Sequence, residues 1–90
     1  MNKTQRKRLD TLSDQLVDID SMLEEIRSAI EEIKDEEQEK IDNLPEGLQG
    51  SAKEDEYQEK VDALEEIYDS LDTLSSDCED IINSIGELVE

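Results

Sequence analysis

Leucine and isoleucine recur through this chain at alternating intervals of three and four residues, and that period leaves little choice of fold. Leu9, Leu12, Leu16, Ile19, Leu23, Ile26, Ile30 and Ile33 fill four unbroken heptads at the positions lettered a and d, the pattern of a seam between packed helices. Glu37 and Lys40 take the next two seam sites, and Leu44 closes the series. A second series runs Leu64, Ile67, Leu71, Leu74, Cys78, Ile81, Ile85 and Leu88, with Tyr57 and Lys60 ahead of it in the same phase. The spacing predicts an all-α chain with helices over about 3–42 and 52–88. Disordered chains do not hold a phase for this long, so the high charge does not by itself imply disorder.

The two series are separated by Asn43-Leu-Pro-Glu-Gly-Leu-Gln-Gly-Ser51, which holds the only proline and two of the three glycines. Proline disfavours helical geometry at the residue before it, and Pro45-Glu46-Gly47 suits a turn. Ser51 and Glu54 have capping-box spacing, in which Glu54 is expected to reach back to the Ser51 amide. Residues 43–51 therefore read as stop, turn and start within one domain of 90 residues. Leu44 and Leu48 are expected to fold inward at the closed end.

An antiparallel hairpin gives the two series a common register. Pairs whose numbers add up to 97 match Leu9 with Leu88, Leu16 with Ile81, Ile19 with Cys78, Leu23 with Leu74 and Ile33 with Leu64. The same register sets Glu37 opposite Lys60 and Lys40 opposite Tyr57, polar layers of the kind that fix alignment. Two helices of these lengths form a rod on the order of 55–60 Å. The expected fold is an antiparallel coiled-coil hairpin.

One such seam leaves much of each helix in water, and small domains often gain stability by oligomerising. The second helix carries a further apolar stripe at its e positions, Val61, Tyr68, Ile82 and Val89, interrupted by Ser75, with Ile41 of the first helix beside it. This stripe is expected to pack on a copy of itself and give a homodimeric four-helix bundle. A monomer with one apolar side is the alternative. The opposite groove is lined by the small or flexible Met22, Ala29, Ala63, Ser70 and Ser84.

Charge narrows the function classes. The net charge is −19, and from Leu9 onward 28 acidic residues face five basic ones. Direct binding to nucleic acid is not expected, because it requires Lys and Arg to displace counterions. The four remaining basic residues, Lys3, Arg6, Lys7 and Arg8, open the first helix, where the macrodipole opposes them. In the hairpin they lie near Asp77, Glu79, Asp80, Glu87 and Glu90, which is expected to compensate them in part.

No histidine is present, which removes the commonest general base and metal ligand. "DSLDTLSSDCED" lacks the glycine and ligand spacing of a calcium loop. Cys78, the single cysteine, occupies a seam position with no base to activate it. No cofactor, metal site or enzymatic activity is expected. No apolar run has the length of a membrane span, and a cytoplasmic setting is the expectation.

The linker carries a resemblance. Asn43-Leu-Pro-Glu-Gly-Leu-Gln-Gly-Ser51, with a basic "NKTQRKRL" start and an acidic Leu/Ile-rich helix, resembles small acidic helical-hairpin proteins of bacteriophages and mobile elements of Gram-positive bacteria. The similarity spans nearly the whole chain but is specific only in the nine-residue linker. It implies a phage setting and a bacterial host cytoplasm, and no particular activity.

Three functions fit these residues. In the first, rows of outward acids, Glu24, Glu25, Glu31 and Glu32 on the first helix and Asp62, Glu65, Glu66, Asp69 and Asp72 on the second, imitate DNA phosphates. They would then block a basic, nucleic-acid-binding host protein such as a defence component. In the second, the chain is a structural or scaffold coiled coil recognised through its helices or through the tip residues Leu44, Pro45, Glu46 and Leu48, and its acidity only keeps it in solution. A third, capture of a nucleotide signal in an oligomer pocket, suffers from the scarcity of basic groups beyond residue 8.

Overall fold

Helix α1 begins at a reciprocal cap. Asn2 Oδ1 accepts from the Gln5 N–H at 2.8 Å, and Gln5 Oε1 accepts from the Asn2 N–H at 3.2 Å, so two of the otherwise unpaired N-terminal donors are satisfied. The Asn-x-x-Gln signal is present in the sequence but is masked there by the basic run around it. The computed structural model describes all of residues 1–90 and consists of α1, Lys3–Asp42, a short 3-10 turn, Glu46–Leu48, and α2, Ala52–Val89. The expected helix limits hold to within a residue.

The linker turns the chain in three steps. The Asn43 and Leu44 amides donate to Glu39 and Ile41 carbonyls and close α1. Pro45, with its own φ of −58°, leads into the turn, where the Leu48 amide donates to the Pro45 carbonyl at 2.8 Å. Gly50 then adopts φ +76°, a left-handed conformation open to glycine at little cost. Ser51 is the N-cap of α2, but its side chain caps nothing: Ser51 Oγ donates to the Leu48 carbonyl, and Glu54 takes the Gly50 amide. The expected Ser51–Glu54 box is thus replaced by a bond one residue upstream, because the left-handed Gly50 turns its N–H toward the new helix. Leu44 is half-buried, whereas Leu48 is 44 % exposed and does not fold inward. Its amide and carbonyl are both tied into the turn, which leaves the side chain on the outside.

The two helices run antiparallel along nearly their whole length and form a rod with extents of 71 × 14 × 13 Å. The length exceeds the expected value because the turn and the chain ends extend beyond the helices. Leu16, Ile19 and Leu23 of α1 line one groove with Leu74, Cys78 and Ile81 of α2, the residues that a sum of 97 sets at the same level. Lys40 Nζ lies 5.7 Å from the centre of the Tyr57 ring, as the register requires. The Glu37–Lys60 layer does not form. Glu37 binds Lys40 of its own helix at 2.7 Å, and Lys60 lies 3.8 Å from Glu56, since partners three or four residues away on the same helix need no reach across the seam.

The rotation of the helices differs from the a/d expectation. The residues withdrawn from solvent are the a rows and the e rows. On α1 the e row is Ser13, Asp20, Arg27, Lys34 and Ile41, and on α2 it is Val61, Tyr68, Ser75, Ile82 and Val89. Val61, Ser75 and Cys78 are each only 6 % exposed and Leu23 9 %. The d residues are turned out: Leu12, Ile19, Ile26 and Ile33 on α1 and Ile67, Leu74, Ile81 and Leu88 on α2 are 45–60 % exposed. The apolar sector of α2 is three heptad positions wide (d, a and e), and one neighbouring helix covers about two of them. Burying e leaves d open.

Candidate interaction surfaces

Polar residues explain the choice of e over d. Asp20, Arg27 and Lys34 look like surface residues, yet each finds a place at the edge of the seam. Ser75 Oγ donates to Asp20 Oδ1 at 2.5 Å, and Arg27 Nη1 reaches Asp72 Oδ1 at 2.5 Å. The Arg27 stem covers apolar neighbours, and its guanidinium is drawn partly into the edge, with Nη1 on Asp72 and Nε buried without a hydrogen-bond partner. The Val61, Tyr68, Ile82 and Val89 row therefore lies inside the hairpin, with Ile41 half-buried beside it. It is not available as the dimer stripe that the sequence suggests.

Two faces result. In an antiparallel pair the two helices are related by a two-fold axis perpendicular to their plane, so matching heptad positions fall on the same face. The d rows of both helices share one face, and the groove between them is floored by Leu16, Leu23 and Cys78 and edged by Ile19, Leu74, Asp77 and Ile81. The b rows, Glu24 and Glu31 on α1 and Glu65 and Asp72 on α2, share the other face. The remaining acids chosen from the sequence, Glu25, Glu32, Asp62, Glu66 and Asp69, point away from the seam on the outer backs of the helices. All nine are exposed. Arg27 neutralises Asp72, and Gln58 donates to Asp62 at 2.9 Å. The acids form two flanking rows and not one converging site.

Ion pairing is sparse. Three pairs form, Arg27–Asp72, Lys40–Glu37 and Lys60–Glu56, and none involves Lys3, Arg6, Lys7 or Arg8. The expected compensation of the basic start forms no ion pair. At the closed end Lys40 and Lys53 approach the Tyr57 ring at 5.7 and 5.4 Å. The hydrogen bond and charge of Glu37 raise the Lys40 pKa above its ordinary value. No group of three or more His, Cys, Asp or Glu side chains is placed to hold a metal ion, and no helix is long and apolar enough to cross a membrane.

Burial pushes the Cys78 thiol up from its ordinary pKa, and the negative Asp20 and Glu79 add to the shift. Its S–H points to the Leu16 carbonyl at 3.4 Å. A raised folded-state value means that the fold favours the neutral thiol. That contribution is complete below the unfolded pKa and is lost as pH rises through the folded one. Alkylation by iodoacetamide at pH 8 should be at least ~10-fold slower in the native chain than in denaturant. Equal rates would show that the thiol is not protected.

The fold and surface define a class: an elongated, strongly acidic helical hairpin with one acidic face and one apolar face. No protein-family model, curated protein or solved structure matches this chain.

Proposed function

We propose that this chain is a non-enzymatic interaction protein that binds and blocks a basic, nucleic-acid-binding surface on another protein through its carboxylate rows. The observation that carries this reading is the linear charge density. Nineteen net negative charges along a 71 Å rod amount to one per 3.7 Å, and a single strand of duplex DNA carries one per about 3.4 Å. Because few of the carboxylates are paired, the field is free to act on a partner. A cleft of positive potential steers such a rod inward and holds it in a salt-sensitive way. The phage setting implied by the linker makes a host defence protein the expected target class.

A second reading, a structural or scaffold coiled coil, is favoured by the exposed d row. The two separate by salt. The test is capture on immobilised chain from a bacterial extract, with elution in rising salt. A parallel column carries the nine outward acids changed to their amides, and a polyglutamate column controls for simple cation capture. Nucleic-acid-binding proteins held by the native chain alone, and displaced by duplex DNA or about 0.5 M salt, support the proposal. Retention that survives the amide changes, or that polyglutamate reproduces, overturns it and leaves the scaffold reading.

A further inference from the structure

We infer that the exposed d face is the docking surface for a second copy of this chain, so that two hairpins stack through their Leu/Ile rows into a four-helix bundle. This face is distinct from the e stripe, which the hairpin itself consumes.

Area is the first reason. A compact monomer of this mass exposes about 5,400 Å², whereas this chain exposes 6712 Å². Its radius of gyration is 20.3 Å, against about 12 Å for a compact domain of this length. The excess surface is on the order of 1,300 Å². The d face runs from Leu12 to Ile33, about 32 Å of helix, and is two helices or about 20 Å wide. It offers about 640 Å² per chain, within the range of the roughly 600–1,000 Å² that one partner buries in a standard stable interface.

Charge chooses the occupant. In a chain that is 41 % charged, no a, d or g position from Leu9 to Ile33 carries a charge, and from Ala63 to Leu88 only Asp77 does. An occupant of this face must itself be uncharged and apolar over the same length, or it buries charges without partners. A second copy meets that condition. Apart from Asp77 at the groove edge, the acids along this stretch lie outside the a, d and g rows, mostly at b, c and f positions, so stacking brings largely neutral surfaces together and keeps most of the repelling ones apart. The g positions Ala29, Ala63, Ser70 and Ser84 are small and let the large d side chains of the other copy settle between them.

Stacking also changes what the acidic surface presents. Two chains side by side carry 38 net negative charges over the same 71 Å, one per 1.9 Å, near the one per about 1.7 Å of duplex DNA. The dimer does not depend on the DNA-mimicry reading, and the two fail separately.

Sedimentation equilibrium over a concentration series tests the inference. The expected mass at about 100 µM is twice the chain mass of 10.3 kDa. Ile19→Glu with Ile81→Glu should raise the dissociation constant by at least ~100-fold, whereas Val17→Glu on the opposite face should leave it unchanged. Circular dichroism reports whether each variant stays helical. If the double variant unfolds, Leu12→Gln with Leu88→Gln at the open end replaces it, with a weaker dimer as the expected result. A native chain that stays at 10.3 kDa, or forms trimers or larger species, overturns the inference. So does a dimer broken equally by Val17→Glu.

Discussion

Leu23→Ala lowers the thermal midpoint by about 10–20 °C at fixed protein concentration. Leu23 is the least exposed leucine of the chain at 9 %, and it shares the groove floor with Leu16 and Cys78. Truncating a buried leucine costs about 2–5 kcal/mol, and the lower half of that range suits a site at the edge of an open groove. A domain of this length holds roughly 0.05–0.15 kcal/mol per residue in total, so the loss is a large share of the whole. Ile26→Ala is the informative partner. It removes a d side chain that is 48 % exposed in one hairpin, and in dilute monomer it costs under about 1 kcal/mol. At concentrations where two copies stack, its cost rises toward that of Leu23→Ala. Thermal melts followed by circular dichroism at both concentrations decide the matter. A fall of less than about 3 °C for Leu23→Ala would mean that the a row is not the seam.

The contrast between Leu23 and Ile26 also shows how far the sequence could be read. Both sit in the same heptad series, and the period that places them on one helix face also fixes two helices, their limits and their register. It does not say which edge of a three-position apolar sector turns inward. On α1 the e row reads as surface because Asp20, Arg27 and Lys34 are charged. On α2 the e row reads as a spare apolar stripe. Only when the two helices are set side by side does Asp20 find Ser75 and Arg27 find Asp72, which makes polar residues on one helix compatible with apolar ones on the other. These contacts join residues more than forty positions apart, and no local pattern encodes them. The linker shows the same limit at short range. Gly50 was legible as part of a turn, but its positive φ decides which amide Glu54 takes. The acidic rows were legible residue by residue, since outward heptad positions are exposed in either rotation.

Raising sodium chloride from low to about 0.5 M should raise the thermal midpoint by about 5–15 °C, against the weakening expected where ion pairs stabilise a fold. The sign follows from the balance of charges. Salt screens attraction and repulsion alike, and this chain has 28 acidic residues against nine basic ones. Only three ion pairs form, two of them between neighbours on one helix, and exposed pairs contribute little each. Repulsion acts along the whole rod. Glu24, Glu31 and Glu65 share the b face with no basic partner, and the acids at the end of α1 oppose its macrodipole. Unfolding relieves these contacts by spreading the chain, so screening them favours the folded state. Stacking through the d face adds a second effect in the same direction, because salt lowers the repulsion between two chains of −19 and leaves their apolar contact intact. The midpoint should therefore climb more steeply with salt at high protein concentration than at low. A midpoint that falls as salt rises would mean that Arg27–Asp72 and its neighbours outweigh the unpaired carboxylates. The free negative field on which binding to a basic cleft depends would then be much weaker than its formal charge implies.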